Sequence, residues 1–207
     1  MPLKVWGRLS SVNVQKAMLC IEELQLPHER FDAGLAFGVV DTPEYRRKNP
    51  NGLVPVIEDD GFILWESNAI VRYLASKHGE GSLYPSDRRQ RADADHWMDW
   101  QATALQPAML QAFAHLVRLP PEKRDASLVE PSRQKTESCV AIMDAALTGR
   151  RFITGDELTI GDIALGPAIH RWSNLPLARA PRPNVERWYR ELMARPAARR
   201  ALPLPIS

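Results

Sequence analysis

The sequence predicts an α/β first half followed by an all-helical second half. Short apolar runs alternate with helical patterns up to residue 79, the segment 80–87 is rich in Gly, Ser and Pro, and strand patterns are absent after it. A chain of 207 residues has room for two domains of ordinary size. We therefore expect a first domain at 1–79, a linker at 80–87 and a second domain at 88–207.

The first domain is expected to contain three strand regions and at least two helices. Apolar spacing and turn residues define these elements. Two apolar runs joined by an acidic turn that ends in Gly61 indicate a hairpin. The predicted order is a strand at 3–6, a helix at 14–24, a strand at 28–32, a loop or short helix at 41–51, a hairpin at 54–64 and a helix at 69–75.

The second domain is expected to be a helical bundle. Pro and Gly separate its helical patterns, and the two prolines of the tail at 202–207 prevent that tail from being helical throughout. The predicted helices lie at 88–119, 130–147, 159–172 and 185–194.

The composition excludes several classes of protein. Hydrophobic residues make up 44% and charged residues 25%, with a net charge of +2, which is ordinary for a soluble globular chain without a nucleic-acid partner. No apolar window approaches the ~20 residues of a membrane span, and the N-terminus lacks a signal-peptide pattern, so we expect a cytoplasmic protein and no membrane partner. Cys20 and Cys139 are far apart, so we expect neither a disulfide nor a metal site.

The segment NPNGLVP at 49–55 contains a proline at the start of the predicted hairpin. Proline has no N–H and fits poorly inside a sheet unless the strand begins there or the peptide bond is cis. We predict that the Val54-Pro55 bond is cis.

Glu66 and Ser67 stand directly before the predicted helix at 69–75. Ser67 is suited to cap that helix, and Glu66 places a negative charge near its positive end. The same pair could also bind a ligand that carries both charges. The helix N-terminus and the hydroxyl would bind its carboxylate, and the acidic side chain would bind its ammonium group.

The stretch Ser10-Ser11-Val12-Asn13 lies where the first strand is followed by the first helix. Serine or asparagine at such a position caps a helix by default. A catalytic interpretation follows from thiol chemistry, because a thiol of pKa about 8.5 is ionised to only a few per cent at pH 7 and the thiolate is the nucleophile. A hydroxyl donor at a helix N-terminus can stabilise that thiolate.

In the second half, Thr159 and Asp162 have the spacing of a helix capping box, with Leu158 and Ile163 as a hydrophobic staple. This pattern is a folding device and implies no catalytic role.

In this order, the motifs resemble those of the cytosolic, bacterial-type glutathione S-transferases over nearly the whole chain. The resemblance implies a thioredoxin-like glutathione-binding domain followed by the helical domain. Ser11 falls on the active-site serine of serine-type members, and the Ser11-x-Asn13 spacing is similar to that of a bacterial group. Ser10 is the alternative, because the register could slip by one residue.

The resemblance also implies how glutathione is bound. The main chain of Val54, turned by a cis Pro55, would bind the cysteinyl part, and Glu66 and Ser67 would bind the γ-glutamyl end. Asn51 is expected among the binding residues.

The expected function is conjugation of the thiol of reduced glutathione to small apolar electrophiles by a homodimer, with glutathione as cosubstrate and no other cofactor. The electrophile site is expected between the loop after the first strand, the helix at 88–119 and the C-terminal tail. Two alternatives are glutathione-dependent disulfide or peroxide reduction, suggested by the Ser-x-Asn pattern, and a noncatalytic binding module of the same fold.

Overall fold

The computed structural model describes residues 2–206. Its first part is built on a four-stranded mixed sheet with the order β2-β1-β3-β4. β1 pairs in parallel with β2 and antiparallel with β3, and β3 and β4 form an antiparallel hairpin. The strands are β1 (Leu3–Trp6), β2 (His28–Phe31), β3 (Val56–Asp59) and β4 (Phe62–Trp65). All of the predicted strands and the hairpin are confirmed.

Three α-helices accompany this sheet: α1 (Val12–Glu23), α2 (Pro43–Lys48) and α3 (Ser67–His78). The segment 41–51 therefore forms the short helix that was one of its two predicted states. Thr42 caps α2 by accepting a hydrogen bond from the Tyr45 N–H at 3.2 Å. Pro43 at the first helical position has its fixed φ already suited to the helix.

The second part, at 88–206, has no strand among the described residues. Its α-helices are α4 (Arg88–Trp100), α5 (Gln106–Phe113), α6 (Val129–Ala146), α7 (Ile160–Ser173), α8 (Pro183–Ala194) and α9 (Pro196–Ala201). The predicted α/β plus all-α class is confirmed. The short helix α9 was not predicted, because it starts at Pro196 directly after α8. No helix of the described chain combines the length and apolar character of a membrane span.

α4 and α5 belong to one helical segment from Arg88 to Arg118 that contains two wide π turns, at Gln101–Leu105 and Ala114–Arg118. Pro107 explains the first turn, because a proline inside an α-helix lacks an N–H and its ring displaces the carbonyl four residues earlier. In the second turn, the Leu119 N–H donates to the Ala114 carbonyl five residues earlier, at 2.8 Å. The predicted helix at 88–119 is confirmed in its length, but two π turns interrupt the expected α-helical geometry.

The main hydrophobic core extends through both parts of the molecule, and a small second cluster is formed by Ala33, Tyr45 and Val56. α1 lies at the centre of the main core, and Leu19 of α1 approaches α7 at Gly166. A Cβ at position 166 would lie 3.3 Å from Leu19 Cδ2 and 2.8 Å from Leu192 Cδ2 of α8. Glycine at this position therefore allows α7 to pack closely between α1 and α8.

The far end of α1 is held by ion pairs to the C-terminal helices. Arg195 makes a bidentate pair with Glu23, with both N–O distances at 2.6 Å, and Arg200 pairs with Glu22 at 2.5 Å. The bidentate geometry adds directional specificity to the charge attraction.

The predicted capping box at the start of α7 is confirmed. One carboxylate oxygen of Asp162 accepts the Thr159 N–H at 2.9 Å. The other accepts the Ile153 N–H at 2.9 Å and the Trp188 indole N–H at 2.7 Å. Asp162 is fully buried, and this burial raises its pKa to about 6 in spite of these donors.

We expect Asp162→Ala to lower the free energy of unfolding by roughly 3 kcal/mol or more, because each buried donor left without an acceptor costs about 1–3 kcal/mol. Denaturant unfolding at pH 7 measures this change. Asp156→Ala is the matched control, since it removes an exposed carboxylate from the same loop and should change stability by less than about 0.5 kcal/mol. Equal losses for the two variants would contradict a structural role for the Asp162 network.

Candidate functional site

A cleft of about 360 Å³ opens between the two parts of the molecule. The first part contributes the loop after β1, the start of α1 and the segment before β3, and the second part contributes α5, the following π turn and α7. Ser11, Asn13 and Val54 of the predicted site all line this cleft.

Ser11 is the N-cap residue of α1, with extended backbone angles of φ −93° and ψ 122°. Its side chain makes no capping hydrogen bond, although the residue is only 9% exposed. The hydroxyl therefore remains able to donate to a group in the cleft at the positive end of the helix.

Asn13 and Ser10 differ in their placement. Asn13 lies in the first turn of α1, and its partly exposed side chain lines the cleft. Ser10 instead lines a small separate pocket with Pro203, Pro205 and other residues of the C-terminal tail. The tail, which was expected at the electrophile site, thus lies beside Ser10, and α7 takes its place in the cleft wall.

The loop that presents Ser11 is held by contacts on several sides. A Cβ at Gly7 would lie 2.4 Å from Val14 Cγ2, so the chain can pass this close to α1 only without a side chain there. The Gln15 side chain donates to the Leu9 carbonyl at 2.8 Å, and Arg171 of α7 donates to the Ser10 carbonyl at 3.1 Å. These contacts hold the loop before Ser11 against α1 and α7.

The Val54-Pro55 bond is cis, as predicted. The Leu53 carbonyl accepts two hydrogen bonds, from the Tyr45 hydroxyl and the Asn49 amide, each at 2.8 Å. Val54 stands two residues before the start of β3, and it is partly exposed and lines the cleft. Its main chain is placed to pair with an extended peptide.

Asn51 is exposed and lies outside the cleft lining, whereas its neighbours Gly52 and Leu53 belong to that lining. Its main-chain N–H and its side chain both donate to Asn49 Oδ1, at 3.0 and 3.1 Å. Asn51 therefore shapes the turn before Val54 in the free protein.

Glu66 and Ser67 stand at the head of α3, outside the cleft lining. The helix begins at Ser67, so Glu66 and not Ser67 is the N-cap residue. Glu66 is exposed and has a left-handed φ of 71°, which a non-glycine residue adopts at a cost of about 1–3 kcal/mol. Such strain concentrates at ligand-binding positions, and here it places an acidic side chain beside the positive end of a helix.

A buried lysine links the middle of α1 to the start of α3. Lys16 Nζ donates to Asn68 Oδ1 at 3.3 Å, and the Asn68 amide donates to the Met98 carbonyl of α4 at 2.9 Å. Burial lowers the pKa of Lys16 to about 7, while nearby Glu66 acts in the opposite direction. This chain of contacts fixes the head of α3 relative to Ser11 and to the second part of the molecule.

The wall from the second part of the molecule is apolar with a charged margin. Met109, Leu110 and Phe113 provide its apolar surface. Arg118 and Arg171 stack on the Phe113 ring, with guanidinium carbons 4.6 and 3.7 Å from the ring centre.

The arginines of this cleft were missed by the sequence analysis. They are far apart in the chain, and each looks like an ordinary solvated cation when taken alone. Within residues 2–206, no cluster of His, Cys, Asp or Glu has the arrangement of a metal site.

The chain matches two family models. Residues 1–76 match the glutathione S-transferase N-terminal domain, and residues 108–191 match the glutathione S-transferase C-terminal domain. Together these models span more than half of the chain.

Individual relatives match over full length. The chain is 43% identical over 207 residues to glutathione S-transferase GstB of Escherichia coli (strain K12), covering 99% of this chain and 100% of GstB. It is 32% identical over 213 residues to glutathione S-transferase 3 of Zea mays, covering 99% and 96%. The crystal structure of the theta class glutathione S-transferase of Xanthomonas axonopodis pv. citri, with glutathione bound, has a TM-score of 0.96 and 38% identity, and all of both chains is covered.

The predicted resemblance is thereby confirmed for the fold and for the family, although the residue type of the active site is not established by these matches. The sheet with its three helices is the family's N-terminal, thioredoxin-like domain, and the match to the C-terminal domain begins in α5, includes α6 and α7 and ends in α8. Glutathione is the cosubstrate of this family. The chain belongs to the glutathione S-transferase family.

Proposed function

We propose that the protein conjugates the thiol of reduced glutathione to small electrophiles, with Ser11 as the principal donor to the thiolate. The observation that carries this proposal is the Ser11 hydroxyl, which makes no capping bond at the head of α1 and lines the cleft. Asn13, in the first turn of the same helix, is proposed as a second donor.

The energy required is within reach of these groups. Lowering a thiol pKa by about two units needs roughly 2.7 kcal/mol of preferential stabilisation of the thiolate. A hydrogen bond to a charged group contributes about 1.5–3 kcal/mol, and a helix N-terminus about 0.3–1 kcal/mol. Ser11 and the head of α1 together therefore supply the right order of magnitude.

We propose that the rest of glutathione is bound by the first domain. Val54 would pair through its main chain with the cysteinyl part, while Ser67 and Glu66 would bind the carboxylate and the ammonium of the γ-glutamyl end. The position of Val54 in the cleft lining and the exposed Glu66 at the head of α3 support this assignment. Pro55 and Asn51 would act by shaping the turn around Val54.

Conjugation is preferred to disulfide or peroxide reduction because of the second wall of the cleft. Met109, Leu110 and Phe113 line the cleft with apolar side chains, which suit the hydrocarbon body of an electrophile. We also propose a cytoplasmic location. Cys20 and Cys139 are unpaired thiols, and the cosubstrate is a reduced thiol, both of which suit a reducing compartment.

We further propose that the protein is a homodimer. Phe62 and Ile63 on β4 and Leu128 and Ile142 in the second domain are large apolar side chains exposed to solvent. Exposed apolar area of this kind is typical of an interaction surface.

We expect Ser11→Ala to shift the pH–rate profile for conjugation to higher pH and to lower the rate near pH 7 by roughly ten- to a hundredfold, because the thiolate loses one charge-assisted hydrogen bond. The pKa of bound glutathione, followed by thiolate absorbance, should rise. The loss should be partial, since Asn13 and the helix N-terminus remain, and Asn13→Ala should have a milder effect.

Ser10→Ala is the matched control for this experiment, because the same hydroxyl is removed one residue away and outside the cleft. A normal profile for Ser11→Ala together with an impaired Ser10→Ala would move the active site by one residue. Impairment of Asn13→Ala alone would make the amide the principal donor.

We expect Glu66→Ala and Ser67→Ala to raise KM for glutathione by roughly tenfold with a smaller effect on kcat, because both residues would bind a part of the peptide that does not react. Steady-state kinetics at a fixed electrophile concentration measure this change. Ser76→Ala, on the exposed face of the same helix, should change neither constant. A loss of kcat at unchanged KM would instead place Glu66 and Ser67 at the reacting atoms.

We expect sedimentation equilibrium at micromolar concentration to give twice the chain mass of 23.4 kDa. Phe62→Glu should shift the distribution toward the monomer if β4 is part of the interface, because a charge would then be buried without a partner. A wild-type mass of 23.4 kDa would contradict the proposed dimer.

A further inference from the structure

Three arginine side chains from separate elements line the cleft that contains Ser11. Arg8 lies in the loop after β1, Arg118 ends the second π turn, and Arg171 lies in α7. The cleft lining contains no Asp or Glu among residues 2–206.

The three cations have no acidic partner in the described part of the chain, where no salt bridge involves any of them. Arg195, by contrast, has a bidentate pair with Glu23. The buried Arg8 Nε has no hydrogen-bond partner. Arg171 donates to the Ser10 carbonyl, which is a neutral acceptor.

The arginines also repel one another. Burial lowers the pKa of Arg171 to about 9, and the positive charges of Arg118 and Arg8 act in the same direction. Arg8 has a lowered pKa for the same reasons, first burial and then Arg118. Like charges gathered in a partly dehydrated cleft are unfavourable unless a negative group joins them.

We propose that this cleft selects electrophiles that carry a carboxylate or a similar anionic group, bound by Arg8, Arg118 and Arg171, with the apolar body of the electrophile against Phe113, Met109 and Leu110. Guanidinium groups bind carboxylates through paired, charge-assisted hydrogen bonds. The inference rests on the proposed conjugation reaction. It specifies that the preferred electrophile has an apolar body and one anionic end.

Glutathione itself carries carboxylates, so a carboxylate of glutathione is the alternative ligand for these arginines. The electrophile is favoured over glutathione as the ligand of the arginines, because Arg118 and Arg171 belong to the helical domain. Both stack on Phe113, which lines the apolar side of the cleft. The proposed glutathione contacts at Val54, Glu66 and Ser67 all belong to the first domain.

A matched pair of electrophiles tests this proposal. 4-(Chloromethyl)benzoate and 4-(chloromethyl)benzamide have the same reacting carbon and nearly the same shape, but only the first is an anion. In both reactions the glutathione sulfur forms a C–S bond, the C–Cl bond breaks, chloride leaves with the bonding electrons, and the thiol proton passes to the buffer. The uncatalysed rate is subtracted from each.

At saturating glutathione, we expect wild-type kcat/KM for the benzoate to exceed that for the benzamide by roughly tenfold or more, as one strong charge-assisted contact implies. Arg118→Gln and Arg8→Gln should each reduce this preference severalfold without changing KM for glutathione. Arg89→Gln, which removes an exposed arginine at the start of α4, is the matched control and should leave the preference unchanged.

Calorimetric titration with unreactive 4-methylbenzoate and 4-methylbenzamide measures the anion site without turnover. The wild type should bind 4-methylbenzoate selectively, and Arg118→Gln should lose this binding. This result would support the anion site even if neither chloride were turned over. Only the proposed conjugation reaction would then be contradicted.

Two results would overturn the inference. The first is that the wild type turns over both chlorides with no preference for the benzoate. This result would leave the proposed conjugation reaction intact, and it does not depend on whether any variant folds. The second is a rise in KM for glutathione in Arg8→Gln and Arg118→Gln with an unchanged benzoate preference, which would assign the arginines to the cosubstrate.

Discussion

The burial of α1 is the constraint on which the rest of the structure depends. Residues Val14 to Ile21 are almost completely withdrawn from solvent, because α1 packs against α3 of its own domain and against α7 and α9 of the second. A helix enclosed in this way cannot shift along its axis or rotate without disturbing both domains, since protein interiors are close-packed. The position of its first turn is therefore set by the whole molecule.

This rigidity matters because catalysis by a hydroxyl donor depends on placement to a fraction of an ångström. Ser11 lies at the N-terminus of α1, and the ion pairs of Arg195 and Arg200 hold the C-terminal end of this helix. Lys16 joins the middle of α1 to the head of α3. The two expected anchoring points for glutathione, at α1 and α3, are thus parts of one packed unit.

Much of this arrangement could be predicted from the sequence, because local patterns determine it. Ser11 at a strand-to-helix junction, proline at the start of a hairpin and the spacing of Thr159 and Asp162 are signals contained within a few residues. The prediction for the start of α3 was less accurate. The positive φ of Glu66 moves the N-cap back by one residue, and no residue propensity favours that conformation for glutamate.

The arginines of the cleft could not be predicted, because they meet only through tertiary packing. Arg8, Arg118 and Arg171 carry no shared spacing, and a charged residue on a helix is by default a solvated one. The absence of carboxylates around them is a property of the folded cleft. The tail was misplaced for a similar reason, since its contact with the Ser10 loop depends on how α7 to α9 pack.

The second π turn also determines which side chains the cleft contains. In a regular α-helix, a residue five positions after Phe113 would point about 140° away from it. Arg118 is that residue, and the wide turn between them returns its guanidinium to the Phe113 ring. Replacing the wide turn by a regular α turn of the same length would therefore direct this cation away from the cleft while leaving the arginine in the sequence. The backbone geometry of this helix, as well as the residue at position 118, thus sets the charge of the site.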